Sequence, residues 1–179
     1  ARVLASAMNH FWKYLSVFVA CILTQVFLLD NIQLWGLVMP YAYPLFILIL
    51  PTHLSRPWLY VLGFLLGLSI DLFSATLCLH ASATTFLAFL REPVIRFATP
   101  QQQLQKTQLP ILRVMGWAWT LRYTLILILA HHALLHLLAQ APVFVAPWFT
   151  AVRIVLNTVV SVVVILLVEF FIYPPNPNR

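Results

Sequence analysis

Long apolar runs alternate with short polar turns along almost the whole chain, and most runs approach the length of a membrane-crossing helix. We predict six transmembrane helices from these runs, at residues 14–29, 34–50, 58–73, 77–90, 115–138 and 148–173. The third and fourth runs are near or below the ~17 residues that a crossing needs. We expect these two runs to form a tight antiparallel hairpin, with a re-entrant pair as the alternative. Whether the chain makes five or six full crossings is a separate open question, and six rests mainly on the hydropathy.

The composition assigns these runs to lipid rather than to a soluble core. Hydrophobic residues make up 63% of the 179 residues and charged residues only 8%, whereas soluble domains carry about 25% charged residues. A water-soluble fold of this length has too little interior to hide so much apolar surface. We therefore interpret residues 1–179 as one all-α integral membrane domain.

The basic residues decide the predicted orientation. With six crossings, one side of the membrane receives Arg2, Lys13, Arg56, Arg91, Arg96, Lys106, Arg113 and Arg179. Lysine and arginine accumulate in cytoplasmic loops, so both termini are predicted to be cytoplasmic. The net charge of +6 is explained by this distribution. Because it forms no basic stripe, we expect no nucleic-acid partner.

Proline interrupts the second apolar run twice, at Pro40 and Pro44. Each proline breaks the helical hydrogen-bond ladder, and lipid supplies no substitute partner. We expect a kinked span whose break faces other helices or a water-lined cleft. Both prolines are therefore candidate contacts for a partner.

Two glycines and one carboxylate mark the third run. Gly63 and Gly67 lie on one helix face, because residues four apart are stacked, and small residues let another helix approach closely. Asp71 on the same helix is costly at membrane depth and needs a partner or water. We interpret this face as a contact site and predict that it holds another protein.

Polar residues from several predicted helices collect in one layer near the outer surface. The residues placed in this layer are Asp71, His80, His131, His132, His136 and Arg153. An Asp71–Arg153 ion pair is expected, since opposite charges neutralise each other in low dielectric. The layer is either a cleft that docks a partner or ligand, or an internal brace. On the inner side, Arg122 and Glu169 are predicted to form a structural ion pair.

Enzyme and metal motifs are weak in this sequence. His132 and His136 are one helical turn apart, a spacing that can chelate zinc, but no third ligand lies nearby in sequence. Gly-x-Ser-x-Gly, paired acidic motifs and phosphate-cradling loops are absent. We expect a protein that is not an enzyme and that holds no metal or cofactor.

Three segments resemble the MreD family of bacterial rod shape-determining membrane proteins. They are Pro44–Pro51, Gly63–Ser74 and Leu79–Arg91, and the resemblance extends over nearly the whole chain. The matching motif positions are Gly63, Gly67, Asp71 and Arg91. One departure is that Ala75 or Thr76 stands where a glycine is expected after the aspartate.

The resemblance implies a scaffold in the bacterial inner membrane. MreD-like proteins are non-enzymatic members of the cell-elongation machinery. They associate with the bitopic protein MreC, and through it with RodA, a penicillin-binding protein and MreB. Their fold is similar to that of the six-helix substrate-binding subunits of vitamin (ECF-type) transporters. On this interpretation the partner-interface candidates are Pro40, Pro44, Gly63, Gly67, Asp71, His80 and Arg91.

The alternative function is a small-molecule-binding subunit of a transporter. It follows from the six-span fold and the outer polar layer. It predicts an enclosed pocket that opens outward, whereas a scaffold predicts a core filled by side chains.

Overall fold

The computed structural model of the protein describes residues 2–32, 38–99, 109–140 and 147–174, with side chains from residue 11 onwards. Every regular element in these ranges is helical. The elements are α1 (Arg2–Leu23) with a π-helical continuation (Thr24–Leu29), α2 (Leu45–Ile49), α3 (Arg56–Ser74), α4 (Leu79–Ala98), α5 (Leu112–Met115), α6 (Trp117–Ala139) and α7 (Pro147–Ile172). The predicted all-α class is therefore confirmed.

Four of the described helices are long and apolar enough to cross a membrane. They are Phe11–Leu29, Arg56–Ser74, Trp117–Ala139 and Pro147–Ile172, and they coincide with four of the six predicted spans. Large apolar side chains remain exposed on them, including Leu72 at 75% and Phe171 at 78%. A surface of this kind suits lipid as its solvent.

The helix α4 differs from the predicted span at residues 77–90. It begins at Leu79 and continues through Pro93 to Ala98. Its last two turns contain Glu92, which forms ion pairs with Arg56 of α3 and Arg96 of α4. The helix therefore extends eight residues past the end of the predicted span at residue 90.

The second predicted span is the largest difference from the structure. Residues 33–37 lie outside the described ranges, and of residues 38–50 only Leu45–Ile49 form an α-helix. Every residue from 41 to 50 is buried. The physical reason lies in the two prolines: Pro40 cannot donate to a helical ladder, and Pro44 immediately precedes α2, where its fixed φ favours a helix start. We call residues 38–50 the central segment.

The hairpin of α3 and α4 turns through two residues with positive φ, Ala75 at 52° and Cys78 at 55°. Ala75 is the C-cap of α3 and adopts the left-handed conformation that glycine usually takes there. A non-glycine residue in this region costs about 1–2 kcal/mol. The turn is nevertheless formed, and in it the N–H of Thr76 donates to the backbone carbonyl of Asp71 at 3.0 Å.

Of the basic residues that fixed the predicted orientation, Lys106 and Arg179 lie outside the described ranges. The number of crossings and the side of each terminus therefore stay predictions.

Candidate functional site

Gln25 binds the non-helical backbone of the central segment. It lies in the π-helical continuation of α1 and is fully buried. Its Oε1 accepts hydrogen bonds from the N–H groups of Ala42 at 2.9 Å and Tyr43 at 3.4 Å. Its Nε2 donates to the carbonyl of Pro40 at 3.2 Å and to Oδ1 of Asp30 at 2.7 Å. Both donors and both acceptor positions of the amide are therefore used.

Two residues of α7 bind the same segment from the other side. Oδ1 of Asn157 accepts from the N–H of Met39 at 2.6 Å, and Oγ of Ser161 accepts from the N–H of Tyr41 at 2.8 Å. Both side chains are buried. Non-helical backbone is tolerated at membrane depth only where protein or water supplies its hydrogen bonds. Here Gln25, Asn157 and Ser161 supply them.

The end of α2 is held by a buried cation. Arg91 of α4 is 2% exposed; it donates through one terminal nitrogen to the carbonyl of Leu50 and through Nε to the hydroxyl of Tyr123 at 3.2 Å. That hydroxyl donates to the carbonyl of Leu48 at 3.1 Å. The last carbonyls of a helix lack intrahelical donors and carry partial negative charge. Arg91 and Tyr123 donate hydrogen bonds to these carbonyls, and the positive charge of Arg91 offsets their partial negative charge.

The four histidines predicted in the outer layer do come together around the central segment. The hydroxyl of Tyr43 lies between Nδ1 of His80 at 3.0 Å and Nε2 of His131 at 2.8 Å. Nδ1 of His132 lies 3.1 Å from Oγ1 of Thr158, and Nε2 of His136 lies 3.0 Å from Nδ2 of Asn157. Each of these rings hydrogen-bonds to another part of the chain, as an internal brace requires.

Asp71 has a different partner from the predicted Arg153. Its two carboxylate oxygens accept from the N–H groups of His80 at 3.0 Å and Ala81 at 2.8 Å, in the first turn of α4. A helix N-terminus carries unpaired donors and positive charge, so it neutralises a carboxylate well. The guanidinium of Arg153 lies 5.4 Å from the ring centroid of Phe149.

The glycine face of α3 is occupied by α4 of the same chain. A Cβ on Gly67 would lie 2.5 Å from Cα of Ala81, and a Cβ on Gly63 would lie 3.1 Å from Cβ of Ala88. The predicted close helix approach is therefore present. The predicted second protein on this face is not accommodated, because the neighbouring helix belongs to the chain itself.

The predicted inner ion pair between Arg122 and Glu169 is also wrong. Nε of Arg122 donates to the carbonyl of Ala118 in its own helix. Oε2 of Glu169 accepts from the N–H of Leu112 at the start of α5, at 3.0 Å. Equal depth in two helices did not imply that their side chains face each other.

The histidine pair does not extend to a metal site in the described ranges. There, no group of three His, Cys, Asp or Glu residues is arranged to hold a metal ion. Thr158 and Asn157 take up one ring nitrogen each of His132 and His136.

Several residues of the hydrogen-bond network around the central segment were not identified in the sequence analysis: Gln25, Asp30, Tyr123, Asn157, Thr158 and Ser161. A signal for some of them was present. Gln25 is an uncharged polar residue inside an apolar run, and Asn157 and Ser161 lie four apart on one face of the last run. Polar residues at membrane depth normally face the bundle interior.

No family model, no curated protein and no solved structure matches this chain. The resemblance to MreD therefore enters the functional argument as a prediction from the sequence motifs.

Proposed function

We propose that this chain is a non-enzymatic membrane scaffold of the bacterial cell-elongation machinery, similar to MreD, which binds MreC. Through MreC it would act with RodA, a penicillin-binding protein and MreB to position peptidoglycan synthesis and maintain rod shape. The assignment to the cell-elongation machinery rests on the motif resemblance. The observation that supports the scaffold role is the central segment, whose backbone is bound by the buried side chains of Gln25, Arg91, Tyr123, Asn157 and Ser161.

A filled polar core favours a rigid body over a binding pocket. Tyr43 is fully buried between His80 and His131, and Tyr41 packs its ring 5.4 Å from that of His132. These side chains occupy the layer in which a transported molecule was expected. A transporter subunit would need that space for its ligand, so the packing of these side chains argues against the transporter alternative.

The proposal includes a topology. Four helices of membrane-crossing length are present in the described residues, and α4 together with the central segment would complete six crossings. Both termini would then be cytoplasmic, in the inner membrane, by the distribution of lysine and arginine.

The partner needs a surface other than the glycine face, which α4 covers. The Phe11–Leu29 helix is the least buried of the four long apolar helices. Its exposed apolar side chains include Leu15, Val19 and Leu23. Transmembrane helices associate by close packing and a few polar links, so a single-span partner would pack along this helix.

Co-purification tests the proposal. The tagged chain is co-expressed with MreC, extracted in a mild detergent and purified, and MreC should be retained in a fixed ratio. The control is an MreC whose transmembrane helix is replaced by that of an unrelated bitopic protein, which should be lost. Absence of MreC, or equal retention of the replaced form, contradicts the proposal.

A further inference from the structure

The hairpin of α3 and α4 carries a groove along the junction of its two helices. Its α3 side is formed by Arg56, Tyr60 and Phe64, which share one helix face because each follows the last by four residues. Its α4 side is formed by Ser82, Thr85, Phe86, Phe89, Glu92, Pro93 and Arg96. We call this feature the α3–α4 groove. Among the residues that the structure describes, only these two helices line it.

The longer part of the groove is apolar. It measures about 500 Å³, within the ~300–1,000 Å³ of pockets that bind small molecules, and four aromatic rings form most of its wall. The hydroxyl groups of Ser82 and Thr85 also line it, but each donates at 2.7 Å to a backbone carbonyl one turn earlier. This part therefore presents mainly apolar surface to a ligand.

The other end of the groove is charged. It measures about 230 Å³ and is lined by Arg56, Glu92 and Arg96. The two parts are continuous because Tyr60 and Phe89, whose ring centroids lie 6.3 Å apart, line both of them. Two guanidinium groups and one carboxylate give this end a net charge of +1. It therefore favours an anion, whereas the rest of the groove favours an apolar chain.

Both arginines of the charged end are able to bind a further anion. Their side chains are 64% and 65% exposed, and both form ion pairs with Glu92. A guanidinium has five N–H donors, of which Glu92 takes two from Arg56 and one from Arg96. The planar fork of a guanidinium also matches the oxygen atoms of a phosphate. A phosphate group can therefore bind here beside the carboxylate.

The length of the groove matches one acyl chain of a bilayer. From Ser82 to Glu92 the helix rises by about 15 Å, at 1.5 Å per residue. This is half of the ~30 Å hydrocarbon thickness of a bilayer, and half of that thickness is the depth of one leaflet. A chain that lies along the rings would thus have its headgroup level with the two arginines.

We propose that the α3–α4 groove binds one anionic phospholipid, with an acyl chain along the aromatic rings and the phosphate group at Arg56 and Arg96. In the topology proposed above, both arginines lie at the cytoplasmic surface, where the leaflet is rich in anionic lipids. The inference goes beyond the scaffold role and does not depend on MreC.

Lipid titration of the purified chain tests the proposal. The chain is stripped of lipid in a neutral detergent and titrated with phosphatidylglycerol or with phosphatidylcholine of the same acyl chains, and native mass spectrometry gives the Kd of the first bound lipid. Phosphatidylglycerol should bind about fivefold more tightly, which is the contribution of one basic charge at a membrane surface. Inorganic phosphate at the concentration of the lipid should not displace it, because it has no acyl chain. Equal Kd values for the two lipids, or displacement by phosphate, overturn the inference.

Arg96→Gln tests the headgroup site. This variant keeps the ion pair between Arg56 and Glu92, which joins α3 to α4, but it lowers the net charge of the groove end to zero. The preference for phosphatidylglycerol should disappear. Arg113→Gln is the matched control, since Arg113 is exposed and lies outside the groove, and it should keep the preference of the wild type. Equal preferences in the two variants overturn the inference.

Glu92→Gln distinguishes lipid binding from a purely structural role of the charges. It raises the net charge of the groove end to +2, so the preference for phosphatidylglycerol should increase about fivefold. If the three charges served only to hold the helices together, Glu92→Gln and Arg96→Gln would act in the same direction. A decrease, or no change, in the preference of Glu92→Gln contradicts the proposal.

Ser82→Trp tests the site of the acyl chain. Ser82 is exposed and lies at the end of the groove away from the arginines, and an indole there would occupy space that the acyl chain needs. Both lipids should bind more weakly, while the preference between them stays that of the wild type. Val155→Trp, on the exposed side of α7, is the control and should bind both lipids as the wild type does. Unchanged binding by Ser82→Trp overturns the placement of the chain in the groove.

Discussion

Gly67 of α3 lies directly against Ala81 of α4, so closely that a Cβ on the glycine would come within 2.5 Å of the Cα of Ala81. The two backbones therefore pack without an intervening side chain. Because Asp71, one turn further along α3, also binds the N–H of Ala81, the hairpin is held by both packing and charge. The motif of glycines and aspartate thus stabilises the chain itself.

Gly67→Ala is expected to destabilise the protein by roughly 2 kcal/mol, the cost of overpacking a tight interface. The added methyl group would meet backbone atoms of His80 and Ala81, which cannot rotate away. Gly63→Ala should destabilise the protein less, because its methyl group would lie 3.1 Å from Cβ of Ala88. The measurement is the free energy of unfolding in mixed detergent micelles. Equal stability of Gly67→Ala and the wild type would contradict the tight packing.

Asp71→Asn should loosen the start of α4. The amide nitrogen of asparagine is a donor, and it would meet the N–H of His80 or Ala81, where the aspartate offers two acceptors. We expect a loss of about 1–2 kcal/mol, typical of a lost helix cap. Hydrogen exchange of the first turn of α4 measures it, with the amides of α7 as reference. Protection that matches the wild type would show that the carboxylate is dispensable.

Gln25→Leu should release the central segment. It removes the partner of three buried backbone groups, those of Pro40, Ala42 and Tyr43, and each unsatisfied group costs about 1–3 kcal/mol. Faster hydrogen exchange at Ala42 and Tyr43 is the expected result. Asn31→Leu is the matched control, since the exposed Asn31 donates to the carbonyl of Phe27 in its own turn. If hydrogen exchange at Ala42 and Tyr43 is the same in both variants, Gln25 does not hold the central segment in place.

Arg91→Lys should destabilise the end of α2 although the charge is kept. Arginine reaches the carbonyl of Leu50 and the hydroxyl of Tyr123 with two different nitrogens, whereas lysine offers one nitrogen. We expect a loss of about 1–2 kcal/mol. In a double-mutant cycle with Tyr123→Phe, the two losses should be non-additive, because the side chains share one network. Strictly additive stability losses would show that Arg91 and Tyr123 do not belong to one network.

Local pattern was sufficient for most of the helices. The apolar runs at residues 58–73, 115–138 and 148–173 lie close to α3, α6 and α7, because each run is long and ends at polar or proline residues. It was insufficient for the central segment, which is as apolar as a helix. Its prolines indicated a break. The side chains that bind the broken backbone come from Gln25, 17 residues before Ala42, and from α7, 118 and 120 residues after the N–H groups that it binds.

The sequence predicted several residues of the candidate site, but not which partner each of them contacts. Two glycines four residues apart indicate that some helix approaches, and a buried aspartate indicates that some donor is near. Neither states which helix or donor, and in both cases the answer was α4 rather than another protein or Arg153. The histidines were correctly grouped because helix rise gives depth, whereas Arg122 and Glu169 were wrongly joined because depth does not give direction.

The bonds from Met39 to Asn157 and from Tyr41 to Ser161 span 118 and 120 residues of sequence. A ribosome makes the N-terminal end of a chain first, so these two amides exist long before their acceptors have been synthesised. Until α7 has been synthesised, these two N–H groups need other partners, either water or the insertion machinery. Completion of the interior therefore has to wait for α7, and a product truncated before Asn157 would leave the two N–H groups without their acceptors.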